Sequence, residues 1–165
     1  MKTARRAVAR LSLIVVTVSA AVAQEVPEQR LAPDQFKWPQ SQANQAGSAM
    51  TKGLQTVFVV GDGKSRALFS LVFRLPPNTK VQPHSHPDER SCFVLSGTWY
   101  FAYGTVRDEA ALQALPAGSN YTEPAGRVHF AGTRDGEAVV QCTAVGPTGT
   151  IFVNPADDPR NAPKQ

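Results

Sequence analysis

The sequence is poor in the residues that carry much of small-protein chemistry. Its 165 residues include two cysteines, three histidines and two methionines. Cys92 and Cys142 stand far apart and neither sits in a CxxC pair, which argues against a thiolate zinc site or a redox dithiol. The most apolar stretch, Leu11 to Ala23, falls short of the roughly 20 residues a membrane-spanning helix needs. There is no block of lysines and arginines and no visible internal repeat. The only helix-like stretch, Arg107 to Leu115, is short and alanine-rich and reads as a loop with a turn.

The formal charge of +4 is unevenly distributed. Lys2, Arg5, Arg6 and Arg10 precede the apolar stretch, which ends in Ala21-Val22-Ala23, the pattern of a signal peptide over residues 1–23. A permanent membrane anchor is the lesser reading, and Arg5-Arg6 leaves the twin-arginine route as an alternative to general secretion. Cleavage removes four of the seventeen basic residues and none of the thirteen acidic ones, leaving thirteen of each sign. A balanced domain lacks the electrostatic footprint for nucleic acid or an anionic membrane. The mature chain is therefore expected in the periplasm or outside the cell, with neither partner. Disulfides persist there, but a β-core of this size does not require a staple. Cys92 and Cys142 are accordingly expected as two small buried thiols, with a single bridge as the alternative.

Residues 24–53 are polar and rich in Pro, Gln and Ala, and form an irregular arm whose Phe36 and Trp38 are expected to cover a sheet edge or pack on the domain. Over 54–153 come nine short segments rich in β-branched and aromatic residues: 56–60, 67–75, 80–86, 91–95, 98–103, 120–123, 128–133, 137–145 and 150–153. Gly61-Asp62-Gly63, Pro76-Pro77-Asn78, Ser96-Gly97, Pro116-Ala117-Gly118, Pro124-Ala125-Gly126 and Asp135-Gly136 punctuate them with turn chemistry. This is an all-β signature, and periodicity alone does not separate a sandwich from a barrel. The tail, 154–165, reads as an irregular strap or a frayed end.

The histidines carry the chemistry. His84 and His86 are two apart on a predicted strand, so both imidazoles face one side. That is half a metal site, and His129, on another predicted strand, can supply the third ligand. Pro83 and Pro87 flank the pair and stiffen it.

The flanking residues resemble the cupin superfamily. Its second motif reads G, five residues, PxG, two residues, H, three residues, N, and the chain has Gly118, Pro124-Ala125-Gly126 and His129 at those offsets, with Thr133 in place of Asn. In the first motif Asn78 replaces the opening Gly, His84 and His86 follow after five intervening residues, and Gly97 closes it. The resemblance covers roughly residues 75–135 and implies a single small jelly-roll β-barrel. It also implies a divalent transition metal (Fe, Mn, Ni, Zn or Cu) held by His84, His86 and His129, and pairing of two copies into a homodimer.

A third departure falls on a metal-ligand position. Where the family carries a metal-binding glutamate this chain has Arg90, which offers no lone pair to a metal. Glu89 is one place early and faces the other way on a regular strand; only a bulge after Pro87 would make it a fourth ligand. An inward Arg90 beside a divalent cation calls for an anion between them, so Arg90 is a candidate substrate-binding residue for a small anionic or enolic molecule. The alternative is a structural salt bridge to Asp88 or Glu123. By resemblance the activity is dioxygenase-like; a cupin that binds, senses or stores a small molecule without turnover is the other expectation.

Overall fold

The segments between the Gly and Pro turns become ten strands: β1 Gln55–Val60, β2 Leu68–Leu75, β3 Lys80–Ser85, β4 Arg90–Ser96, β5 Thr98–Tyr103, β6 Gln113–Pro116, β7 Asn120–Glu123, β8 His129–Gly132, β9 Ala138–Val145 and β10 Ile151–Phe152. They are seen in a computed structural model that describes residues 25–39 and 51–161. The signal peptide expected over 1–23 lies outside them. The strands form two five-stranded sheets, ordered β1-β2-β9-β4-β7 and β10-β3-β8-β5-β6. Every pairing is antiparallel. From β2 onward the chain passes back and forth between the sheets, with only β5 and β6 consecutive in one of them, which makes the expected all-β jelly roll.

Alternation decides what faces the interior. On β4 the side chains of Arg90, Cys92 and Val94 are buried while Ser91, Phe93 and Leu95 are exposed, and on β9 Ala138, Val140, Cys142 and Ala144 point inward. They join Phe69, Leu71, Leu75, Val81, Trp99, Phe101 and Tyr121 in the core. Two 8-residue strands, β2 and β9, pair along their full length and form the centre of one sheet.

Three expectations need correction or refinement. Cys92 and Cys142 are not free thiols: they form a disulfide between strands, with Cα atoms 4.1 Å apart. The physical reason is register, since the two residues sit directly opposite each other on β4 and β9 and both point inward. The stretch expected as a loop with a turn, Arg107 to Leu115, ends in β6, which pairs with β5 so that Leu115 opposes Trp99. Gln-Ala-Leu-Pro lacks β-branched residues, and Pro116 is tolerated because β6 is an edge strand. Asn78 performs the task of the glycine it replaces. Its φ is +56°, the left-handed region that asparagine tolerates best among side-chain-bearing residues. Thr133 closes the same corner, accepting from Thr79 N at 3.0 Å and donating to Pro76 O at 2.6 Å.

The arm lies along the barrel's edge. Gln29 donates to Val59 O and Gln55 to Pro39 O, which ties the arm to the edge strand β1. Arg74 sits over the Trp38 ring at 4.6 Å. In the tail, two short 3-10 turns over Pro155–Asp157 and Pro159–Asn161 are tied back by Arg160, which donates to Thr150 O at 3.1 Å. No helix among the described residues is long and apolar enough to cross a membrane.

Candidate metal centre

Two sheet features bring the three histidines together. A register shift in β3 between Val81 and His84 resets the alternation, so that Val81 and His84 both point inward. His84 then pairs directly with His129 on β8. His86 follows two residues on, and Gly126 N donates to its carbonyl at 2.8 Å, fastening the Pro-Ala-Gly turn that leads into His129. Ring centroids lie 4.8 Å apart for His84 and His86, 4.4 Å for His84 and His129, and 5.3 Å for His86 and His129. All three side chains are buried, and one nitrogen from each falls within 4.8 Å of the others.

The outer nitrogens set the tautomers. Nδ1 of His84 lies 2.7 Å from Gln82 O, Nδ1 of His86 2.5 Å from Gly149 O, and Nδ1 of His129 3.1 Å from Arg127 O. A carbonyl only accepts, so each Nδ1 carries the proton and each Nε2 keeps its lone pair. Metal-ligating histidines are held in just this way by backbone carbonyls behind them. Burial pushes the pKa of His84 well below its ordinary value, with His129 and Arg90 adding to the effect; for His86 burial leads, followed by the Arg90 charge. Both rings are therefore neutral at neutral pH and able to donate. His129 Nε2 is buried without a hydrogen-bond partner, as a ligand atom aimed at an ion would be. The residues present thus fit a divalent transition metal.

Arg90 is buried and lines the same cavity. Its Nε donates to Asp88 Oδ2 at 2.7 Å, its Nη2 to Thr148 Oγ1 at 2.6 Å, and its Nη1 lies 3.5 Å from Glu123 Oε2. Both partners named from the sequence, Asp88 and Glu123, are thus in place. Glu89 is exposed, and so is no ligand. It sits in the loop between β3 and β4, immediately before β4 begins at Arg90.

Sequence reasoning named Glu123 only as a partner of Arg90 and missed its place beside the histidines, and it missed the loop after β9 altogether. Glu123 is buried on β7 directly opposite Arg90. One of its oxygens lies 3.5 Å from His86 Nε2 and the other 3.7 Å from His129 Nε2. Its inward direction follows from alternation with the buried Tyr121, so parity was an available signal, but its approach to His86 and His129 was not. The second is the loop between β9 and β10, whose Thr148 and Gly149 accept from Arg90 and His86; nothing in that loop's composition marks it. Cys92 and Cys142 also approach Glu123, but their sulfurs are spent on the disulfide.

The remaining wall is apolar: Leu54, Phe73, Leu75 and Val81 with Trp99. The free volume is about 30 Å³, room for an ion and a small group rather than a whole drug-sized molecule.

No protein-family model matches the sequence, and no curated protein is significantly similar to it. Solved structures are similar in three dimensions. The polyketide cyclase RemF from Streptomyces resistomycificus aligns with a TM-score of 0.63 at 20% identity, over 80% of this chain and 89% of that one. A cupin-2 domain from Rhodospirillum rubrum aligns at 0.56 and 15% identity, over 79% and 82% of the two chains. An RmlC-like cupin from Shewanella frigidimarina aligns at 0.52 and 13% identity, over 73% and 92%. At these identities the likeness is one of fold, and together with the strand order it makes this chain a cupin-fold barrel with a histidine triad that could hold a metal.

Proposed function

We propose that the mature chain is an exported protein that holds one divalent transition metal through His84, His86 and His129 and binds a small anionic or enolic molecule beside it. The observation that carries the reading is the convergence of three Nε2 lone pairs in one buried cavity, each fixed by a backbone carbonyl behind its ring. Such rings are costly to bury together unless they share a partner.

Charge supports an anionic ligand. At their formal charges Asp88, Arg90 and Glu123 sum to minus one, and a divalent ion makes the buried site plus one. A monoanion, such as a carboxylate or an enolate, brings it to neutrality. The small free volume selects a ligand that presents a compact anionic group. Arg90 is the cationic wall, two of its nitrogens committed to Asp88 and Thr148 and the third facing Glu123. From there its charge would orient the bound group. A bound metal would supply Lewis acidity or a site for activating oxygen. The likeness to a polyketide cyclase is one of fold, so the reading rests on these side chains alone. Pairing of two copies through the sheet whose outer face exposes Phe93, Leu95 and Val145 belongs to the same proposal.

Element analysis of protein purified from its native compartment identifies the metal. His84→Ala, His86→Ala and His129→Ala should each abolish stoichiometric binding; retention by all three would overturn the reading. Oxygen uptake by Fe(II)-loaded protein against thiols, enols and aromatic diols separates a dioxygenase-like enzyme from a protein that binds, senses or stores its ligand. A panel of carboxylates tested against native protein and Arg90→Lys, which keeps the charge but loses the planar fork, examines ligand orientation. Equal affinities would remove that role.

A further inference from the structure

The inference concerns Glu123 and rests on the three-histidine reading above. Glu123 is 5% exposed, yet Oε2 has no hydrogen-bond partner. A buried carboxylate oxygen ordinarily finds a donor. Oε2 lies 3.5 Å from His86 Nε2 and equally far from Arg90 Nη1, and the other oxygen lies 3.7 Å from His129 Nε2. With Nδ1 of both rings carrying the proton toward a backbone carbonyl, these Nε2 atoms present lone pairs to a carboxylate. Acceptor faces acceptor, an arrangement that calls for a cation between them. The separations also match that purpose, since donor atoms about 2.1 Å from a tetrahedral ion stand about 3.4 Å apart.

Register explains how the carboxylate comes to be there. Arg90 and Glu123 are directly opposed on β4 and β7, both on the inward face. Arginine has taken the inward position on β4, and the carboxylate is supplied from the neighbouring strand. Arg90 Nη1 lies 3.5 Å from Glu123 Oε2, so the guanidinium holds the carboxylate toward the imidazoles while Asp88 and Thr148 hold the guanidinium.

We infer that Glu123 is the fourth protein ligand of the metal, a carboxylate delivered across the ladder from β7, and that Arg90 is its positioning residue. The site is then three imidazoles and one carboxylate. Its preference shifts toward metals that accept an oxygen ligand beside nitrogen, and away from Cu(I).

The test is zinc and cobalt(II) binding to the full mature chain, by competition with a chromophoric chelator. The panel is native protein, His129→Ala, Glu123→Gln and Glu123→Asp, with the fold of each apo protein checked by far-UV circular dichroism. Glu123→Gln is expected to bind at least about tenfold more weakly, since loss of even a supporting partner weakens a metal site by about 10–100-fold. Its cobalt(II) visible bands should shift from those of native protein. Glu123→Asp keeps the charge beside Arg90 but withdraws the oxygens by a methylene, and should also weaken binding at least tenfold; it decides the matter if the glutamine variant does not fold. Arg90→Lys should weaken binding in native protein and not in the Glu123→Gln background. Native affinity and unchanged cobalt bands in both Glu123 variants, with binding lost in His129→Ala, would overturn the ligand role and leave the three-histidine site standing. Absence of binding by native protein would overturn both.

Discussion

Replacing Arg90 with methionine isolates the buried charge, because methionine keeps an unbranched stem of similar reach while removing every donor. In the native chain Asp88, Arg90 and Glu123 are each about 95% buried, and the Asp88 contact is 2.7 Å. Removing the cation strands two carboxylates in the barrel interior. Breaking a buried pair in this way costs about 3–5 kcal/mol, whereas a solvated surface pair is worth about 0–1. Against a total stability of about 5–15 kcal/mol the loss is large. With a urea slope of about 2 kcal/mol/M, the unfolding midpoint should drop by about 1.5–2.5 M. The assay is urea unfolding of chelator-treated protein, followed by tryptophan fluorescence, which reports on Trp99 in the core and Trp38 on the arm. The deficit should persist at high salt, since a buried pair is little screened. It should shrink in Asp88→Asn/Arg90→Met, where one stranded charge is gone, and shrink again on adding zinc, which offers Glu123 a cation. A loss below about 1 kcal/mol, or one abolished by salt, would show that Arg90 is hydrated and that the buried-triad reasoning is wrong.

Other consequences can be measured independently. Burial holds His84 and His86 below the ordinary imidazole value. As pH falls through about 6.5 the unfolded chain takes up protons that the folded chain refuses, so apo stability is full above that value and declines below it; a urea midpoint that rises on acidification from about pH 7 to about pH 5 would contradict this. Thiol titration of unreduced protein in denaturant should find no free cysteine. The Cys92→Ala/Cys142→Ala protein should lose about 2–4 kcal/mol in unfolding experiments, because the bridge closes a 50-residue separation. Asn78→Gly should leave stability within about 0.5 kcal/mol, whereas Asn78→Val should cost at least about 1 at a φ of +56°; equal melting temperatures for the two variants would refute the turn argument.

How much of this was legible in the sequence depends on whether the information is local or lies between strands. His84 and His86 are two residues apart, and strand alternation alone puts them on one face. His129 was legible through the spacing of the turn before it, and the opposed directions of Glu89 and Arg90 through parity. Glu123 and the disulfide depend instead on which residue lies opposite which, and β4 meets both β7 and β9 across long sequence separations. No local pattern carries that register. The shift in β3 that lets Val81 and His84 both face inward is likewise a property of the pairing with β8. β6 was hidden because its four residues have weak strand preference and are held by pairing with β5. Thr148 and Gly149 act through one hydroxyl and one carbonyl brought in by the path of a loop, and only three dimensions show what those atoms touch.

The central claim is that three imidazoles, each protonated at Nδ1, turn their Nε2 atoms on one ion. Long-range proton–nitrogen NMR of the side chains of ¹⁵N-labelled apo protein, repeated after one equivalent of zinc, reads both halves of it at once. The account predicts the Nδ1–H tautomer for His84, His86 and His129 before zinc, and a metal-bound shift of all three Nε2 signals that is complete at one equivalent. An Nε2–H tautomer at any of the three, or a ring whose Nε2 signal stays in place once zinc is bound, would contradict it.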